Sequence, residues 1–82
     1  MALDTLKTAL TAIGVKQATK VVERGQAQVV YLAQDAEQRV TQSLRVLCAA
    51  RNVPVEETAS MAELGKACGI AVGAAAVAVI KH

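Results

Sequence analysis

Eighty-two residues, 54% of them apolar, are enough for one small core and too hydrophobic for a disordered chain. Nine basic against seven acidic residues give a net charge of +2, which excludes a protein that coats nucleic acid by charge alone. A single aromatic side chain, Tyr31, likewise excludes stacking of single-stranded bases on exposed rings.

Leu3, Leu6, Leu10 and Ile13 recur at helical spacing with Lys7 and Thr8 opposite, predicting a first helix that ends near Gly14. A second helix runs from about Lys16 to Arg24 and stops at Gly25, a C-terminal signal. Gln28–Ala33 reads as a buried strand from its length and β-branched content. Asp35 can cap the next helix, whose inward stripe is Val40, Leu44, Leu47 and Cys48. Gln38, Arg39, Gln42 and Arg45 of that helix face water. Asn52 and Pro54 end it and open a short strand around Val53–Glu57. Ser60-Met61-Ala62-Glu63 fits a capping box and starts a short helix that Gly69 closes. Ala74–Ile80 is the last strand, small or branched throughout, as expected at the centre of a sheet covered on both faces. Helices and strands alternate without internal repeat or linker, which predicts one domain over residues 1–82 and a three-layer α/β/α sandwich.

Little of this carries catalytic chemistry. The one histidine, His82, is terminal, and no His, Cys and carboxylate cluster has metal-ligand spacing. Glu56 and Glu57 are adjacent and point opposite ways on a strand, which is poor geometry for paired acid and base work. Gly69-Ile70-Ala71-Val72-Gly73 lacks the Gly-x-Gly-x-x-Gly spacing of a dinucleotide loop and reads as a loop leading into a buried strand. Its apolar middle is still a place where a base or a partner side chain could lodge. Cys48 and Cys68 lie far apart among apolar neighbours and read as reduced, buried thiols. The N-terminus has no secretory pattern, and the apolar run Ile70–Ile80 is about half the ~20 residues of a membrane helix. A cytoplasmic, non-enzymatic protein without cofactor, metal or small-molecule substrate, and monomeric by default, is the expectation.

The candidate chemistry lies between Gly14 and Gly25. On a helical wheel Lys20, Arg24 and Gln17 all fall in the same sector as Lys16, and Val21, Ala18 and Val22 follow one another further round. One sector is basic and amide-bearing and the opposite one is apolar. The N-terminus adds unpaired N–H groups and partial positive charge suited to a phosphate or a base carbonyl, and Gly14 allows close backbone approach. Pattern alone also fits a solvated basic face, and the Arg39/Arg45 helix offers a separate protein-docking surface.

Two segments together, Gly14–Gly25 and Leu64–Ala78, resemble the kink-turn-binding family of ribosomal proteins, and most of all its short bacterial members. The resemblance covers nearly the whole chain. It implies an α/β/α sandwich around a small mixed sheet and binding to a sharply bent RNA with tandem sheared G·A pairs. By that resemblance Gly14, Lys16, Gln17 and Lys20 would meet the G·A pairs and adjacent phosphates, Arg24 would contact the backbone, and Ile70, Ala71 and Val72 would pack on an extruded base. Archaeal members typically show Asn then Glu where this chain has Lys16 then Gln17. A Gln carbonyl accepts a guanine N–H bond without the charge-assisted strength of a carboxylate. Many relatives also carry an acidic residue at the position of Ala71.

Overall fold

Val77, Ala78 and Val79 must be buried on both sides, since no charged residue interrupts Ala76–Ile80. The computed structural model, which describes residues 10–57 and 59–81, puts them at the centre of the sheet. The elements in chain order are β1 (Thr11–Ile13), α1 (Val15–Glu23), β2 (Ala27–Leu32), α2 (Gln38–Ala50), β3 (Val55–Glu56), α3 (Met61–Ala67) and β4 (Ala76–Ile80). The strand order is β1-β4-β2-β3. Strand β4 pairs antiparallel with β1 (Ile13 opposite Val77) and with β2 (Leu32 opposite Ala76), while β3 runs parallel to β2. The sheet is therefore mixed.

Side-chain alternation on the two central strands divides the core into two layers. Val30 and Leu32 with Ala76 and Ala78 meet Ala18, Val21 and Val22 of α1 and Leu44 and Cys48 of α2. On the other face Tyr31, Val77 and Val79 pack with Leu64 and Ala67 of α3. The expected α/β/α sandwich is the observed architecture. No helix among the described residues is long and apolar enough to cross a membrane.

Several local expectations need correction. Residues 11–13 form β1 rather than the end of a first helix, because their backbone completes a ladder with Val77–Val79. The rest of that predicted helix lies outside the described residues. Asp35 does not cap α2. That helix starts at Gln38 behind Glu37, and Asp35 Oδ1 instead accepts the Met61 N–H at 2.8 Å, serving α3. Val40 is 42% exposed, and Thr41 takes the inward position beside Leu44 and Cys48 at 1% exposure. A polar residue is tolerated there because its hydroxyl donates to the Gln38 carbonyl. Arg45 is half-buried and ion-paired with Glu57 rather than fully in water. Cys68 is only half-buried, whereas Cys48 is fully so; burial pushes both thiols up from their ordinary range.

The capping box is observed as expected: Ser60 Oγ accepts the Glu63 N–H at 3.1 Å and the Glu63 carboxylate accepts the Ser60 N–H at 3.0 Å. Replacing Ser60 with Ala removes one of these bonds and should lower stability by about 0.5–2 kcal/mol. Urea denaturation followed by circular dichroism measures it, and an unchanged midpoint would show that the cap is redundant.

Candidate functional site

One end of the sheet collects the C-terminal ends of β1, β2 and β3 and the N-terminal end of β4. The backbone leaves that end into α1 and α2, so both helices present their N-termini there. Helix α3 joins them, because the Gln34 N–H donates to the Ala59 carbonyl at 2.9 Å and Asp35 holds the Met61 N–H. Open α/β sheets place their ligands at such carboxyl edges.

The helix starts are not equivalent. Helix α3 has Ser60, Glu63 and Asp35 satisfying its first N–H groups. Helix α1 has no side-chain cap and no acidic residue in its first turn. Among the described residues no backbone bond engages the N–H groups of Val15, Lys16 and Gln17. Gly14 stands before them at φ 102° and ψ 153°, a conformation left almost wholly to glycine, with open space where a Cβ would be. Its own N–H donates to the Ala76 carbonyl at 2.8 Å, and its carbonyl accepts the Ala18 N–H at 2.9 Å. The start of α1 is thus bolted to the central strand while its outer surface stays open.

The loop over residues 70–73 reaches the same end. Val72 is four residues before Ala76, so no more than about 14 Å of chain separates it from the carbonyl that holds Gly14. The loop is drawn back along α3 by the Ile70 N–H on the Gly65 carbonyl and the Ala74 N–H on the Met61 carbonyl, each at 3.0 Å. A methyl group on Gly65 would collide with the Val72 carbonyl, and one on Gly73 would lie 3.1 Å from Met61 Cβ. Two glycines therefore let the loop lie flat on the helix. Ile70 packs into the second core cluster, Ala71 is exposed, and Val72 is 70% exposed.

Lys16, Gln17 and Lys20 are exposed and make no ion pair among the described residues. The arginines of α2 are engaged: Arg39 pairs with Glu37 at 2.7 Å and Arg45 with Glu57. Arg24 lies away from the start of α1 and the loop. It is the C-cap of α1, ten residues beyond Gly14 and so roughly 15 Å away along the axis. Sequence reasoning missed a cleft of about 340 Å³ beside the loop, lined by Asp35, Ala36, Glu37, Val40, Met61 and Ala75. Nothing in the sequence marked it, since Val40 stands at helical spacing from Leu44 and Cys48 and reads as part of the buried stripe. No group of three or more His, Cys, Asp or Glu among the described residues could hold a metal ion.

Comparison with known proteins agrees with this geometry. The family model described as "Ribosomal protein L7Ae/L30e/S12e/Gadd45 family" matches residues 3–82. An RNA-binding protein of a Geobacillus species is 41% identical over 76 residues, 93% of each chain. RNA-binding protein YbxF of Geobacillus stearothermophilus is 40% identical over the same coverage. Among solved structures, a 15.5 kD RNA-binding protein of Giardia lamblia superposes with a TM-score of 0.90 at 30% identity, over 99% of this chain and 72% of that one.

The two glycine contacts predict different outcomes. Gly14→Ala meets no atom and should cost about 1–3 kcal/mol of backbone strain alone. Gly65→Ala must displace backbone, so the amide resonances of residues 70–73 should move while those of α1 stay in place. Unmoved loop resonances in a ¹⁵N-correlation spectrum would show that the loop is not held by this contact.

Proposed function

This chain belongs to the ribosomal protein L7Ae/L30e/S12e/Gadd45 family, and on that premise we propose that it is a non-enzymatic, cytoplasmic RNA-binding protein that captures kink-turns. The observation that carries the reading is the meeting of two unlike surfaces at one end of the sheet. One is the uncapped N-terminus of α1 with Lys16, Gln17 and Lys20; the other is the apolar loop with Ala71 and Val72.

Each surface suits one part of a sharply bent RNA. The N–H groups of Val15, Lys16 and Gln17 with the helix dipole favour phosphate and base carbonyl oxygens, and Gly14 lets a backbone come close. Gln17 can accept from and donate to the edge of a sheared G·A pair. Lys20, one turn further along, meets an adjacent phosphate or base edge. Ala71 and Val72 cover the face of a base turned out at the bend, and Ile70 anchors them from below. The cleft between Ala75 and Glu37 gives that base room, with the Glu37 carboxylate as an acceptor at its rim.

A straight duplex cannot present its G·A groove and an extruded base to these two surfaces at once. The protein therefore binds only the bent state and shifts the RNA towards it. Shape recognition with few contacts agrees with a net charge of only +2. Protein docking through Arg39 and Arg45 is the weaker reading, since both guanidiniums are already paired with carboxylates of the same chain. The protein acts as a monomer in this account.

A titration at stated salt compares a kink-turn duplex with one whose G·A pairs are Watson–Crick. Tight binding to the first alone is expected; equal, weak and salt-sensitive binding to both would sink the reading. Lys20→Ala should weaken kink-turn binding by about 1–3 kcal/mol if it reaches a base edge. Val72→Asp should weaken it too, with an unchanged circular dichroism spectrum. Normal affinity for Val72→Asp would remove the loop from the site.

A further inference from the structure

The end of the molecule opposite the site carries its own charge. Helices α1 and α2 both end there, with Arg24 and Arg51 as their C-caps. Arg51 Nη1 donates to the Glu23 carbonyl at 3.1 Å, which brings its guanidinium alongside the end of α1. Lys81 is drawn to the same end by its N–H on the Gln26 carbonyl at 2.7 Å, two residues beyond Arg24. All three are exposed, and Glu23 is the one carboxylate at this end among the described residues. The acidic side chains Asp35, Glu37, Glu56, Glu57 and Glu63 are gathered at the other end, on the α2 and α3 side. Cations at helix C-termini also complement the dipole, and Arg51 does so directly. Arg24 and Lys81 make no side-chain hydrogen bond or ion pair among the described residues.

Lys16, Lys20 and Arg24 occupy one sector of α1 at steps of four residues, about 6 Å each along the axis. They link the two ends by a cationic strip. An RNA stem leaving the α1 N-terminus meets like charge towards α2 and α3 and unlike charge along α1. We infer that one flanking stem of the bound RNA lies along α1, and that Arg24, Arg51 and Lys81 form a second phosphate-contacting patch at its far end. This inference rests on the kink-turn reading. The roughly 15 Å from Gly14 to Arg24 corresponds to about five base steps of a stacked duplex. A stem shorter than that cannot reach the patch.

The test uses kink-turn RNAs whose flanking stems are cut in turn from about ten to about three base pairs, with a non-kinked control. Wild-type protein should lose about tenfold in affinity when one particular stem is shortened, as expected for two or three lost phosphate contacts. The Arg24→Gln/Lys81→Gln protein, which keeps Arg51, should already show most of that loss on the long stem and depend much less on stem length, with a salt slope shallower by about 1.5. It should still prefer the kinked RNA, and its melting curve should match the wild type. Preference for the kink with no dependence on stem length or on these two residues overturns the patch and leaves the kink-turn reading standing. That outcome would also be the one produced if the patch docks an acidic protein surface. No preference for the kink in the wild-type protein overturns both.

Discussion

The hydrogen bond from the Gly14 N–H to the Ala76 carbonyl, 2.8 Å long, holds the candidate site together. It joins the residue that starts α1 to the residue that starts β4, and so joins the two segments that carry chemistry. Val77 to Val79 fix the height of that bond, because they are paired on both edges and buried on both faces. Gly14 fixes its direction through a backbone conformation that other residues rarely adopt. With these two constraints, an uncapped helix N-terminus and an apolar loop are held at one end of the sheet. In the proposed complex, groups already held by the fold would lower the ordering cost of binding.

Charge is arranged by the same economy. Among the described residues most carboxylates sit at helix starts or in ion pairs: Glu63 and Asp35 at the start of α3, Glu37 with Arg39, Glu57 with Arg45. The cations left without partners among the described residues include Lys16, Lys20 and Arg24, all on one sector of α1. A net charge of +2 understates how one-sided the molecule is. Non-specific attraction stays weak while one helix face remains strongly attractive to phosphate.

Much of this was legible in the residues. The α1 boundaries, the β2 and β4 strands and the capping box of α3 all follow from local signals that tertiary contacts reinforce. What escaped reading depended on partners distant in the chain. Residues 11–13 continue a helical apolar spacing but become a strand because Val77–Val79 offer them a ladder. Asp35 has the right chemistry for a cap and is used by a helix 26 residues away. Thr41 takes the inward place beside Leu44 and Cys48 that apolar spacing assigns to Val40, a difference of one residue that the helical period alone does not resolve. For the site, the residue types were visible, yet the meeting of Gly14 with Ala76 and the flat loop on Gly65 are tertiary facts. The distance of Arg24 from the start of α1 is likewise set by helix length, which a wheel projection discards.

The central claim is that the α1 N-terminus and the loop over residues 70–73 act as one binding surface. The most direct measurement is a titration of ¹⁵N-labelled protein with a kink-turn RNA, followed by amide resonances. Residues 14–20 and 70–73 should shift together at the same RNA concentration, while the outer face of α2 around Gln42 and Val46 stays unperturbed. Shifts confined to one of the two segments, or centred on α2, would contradict it.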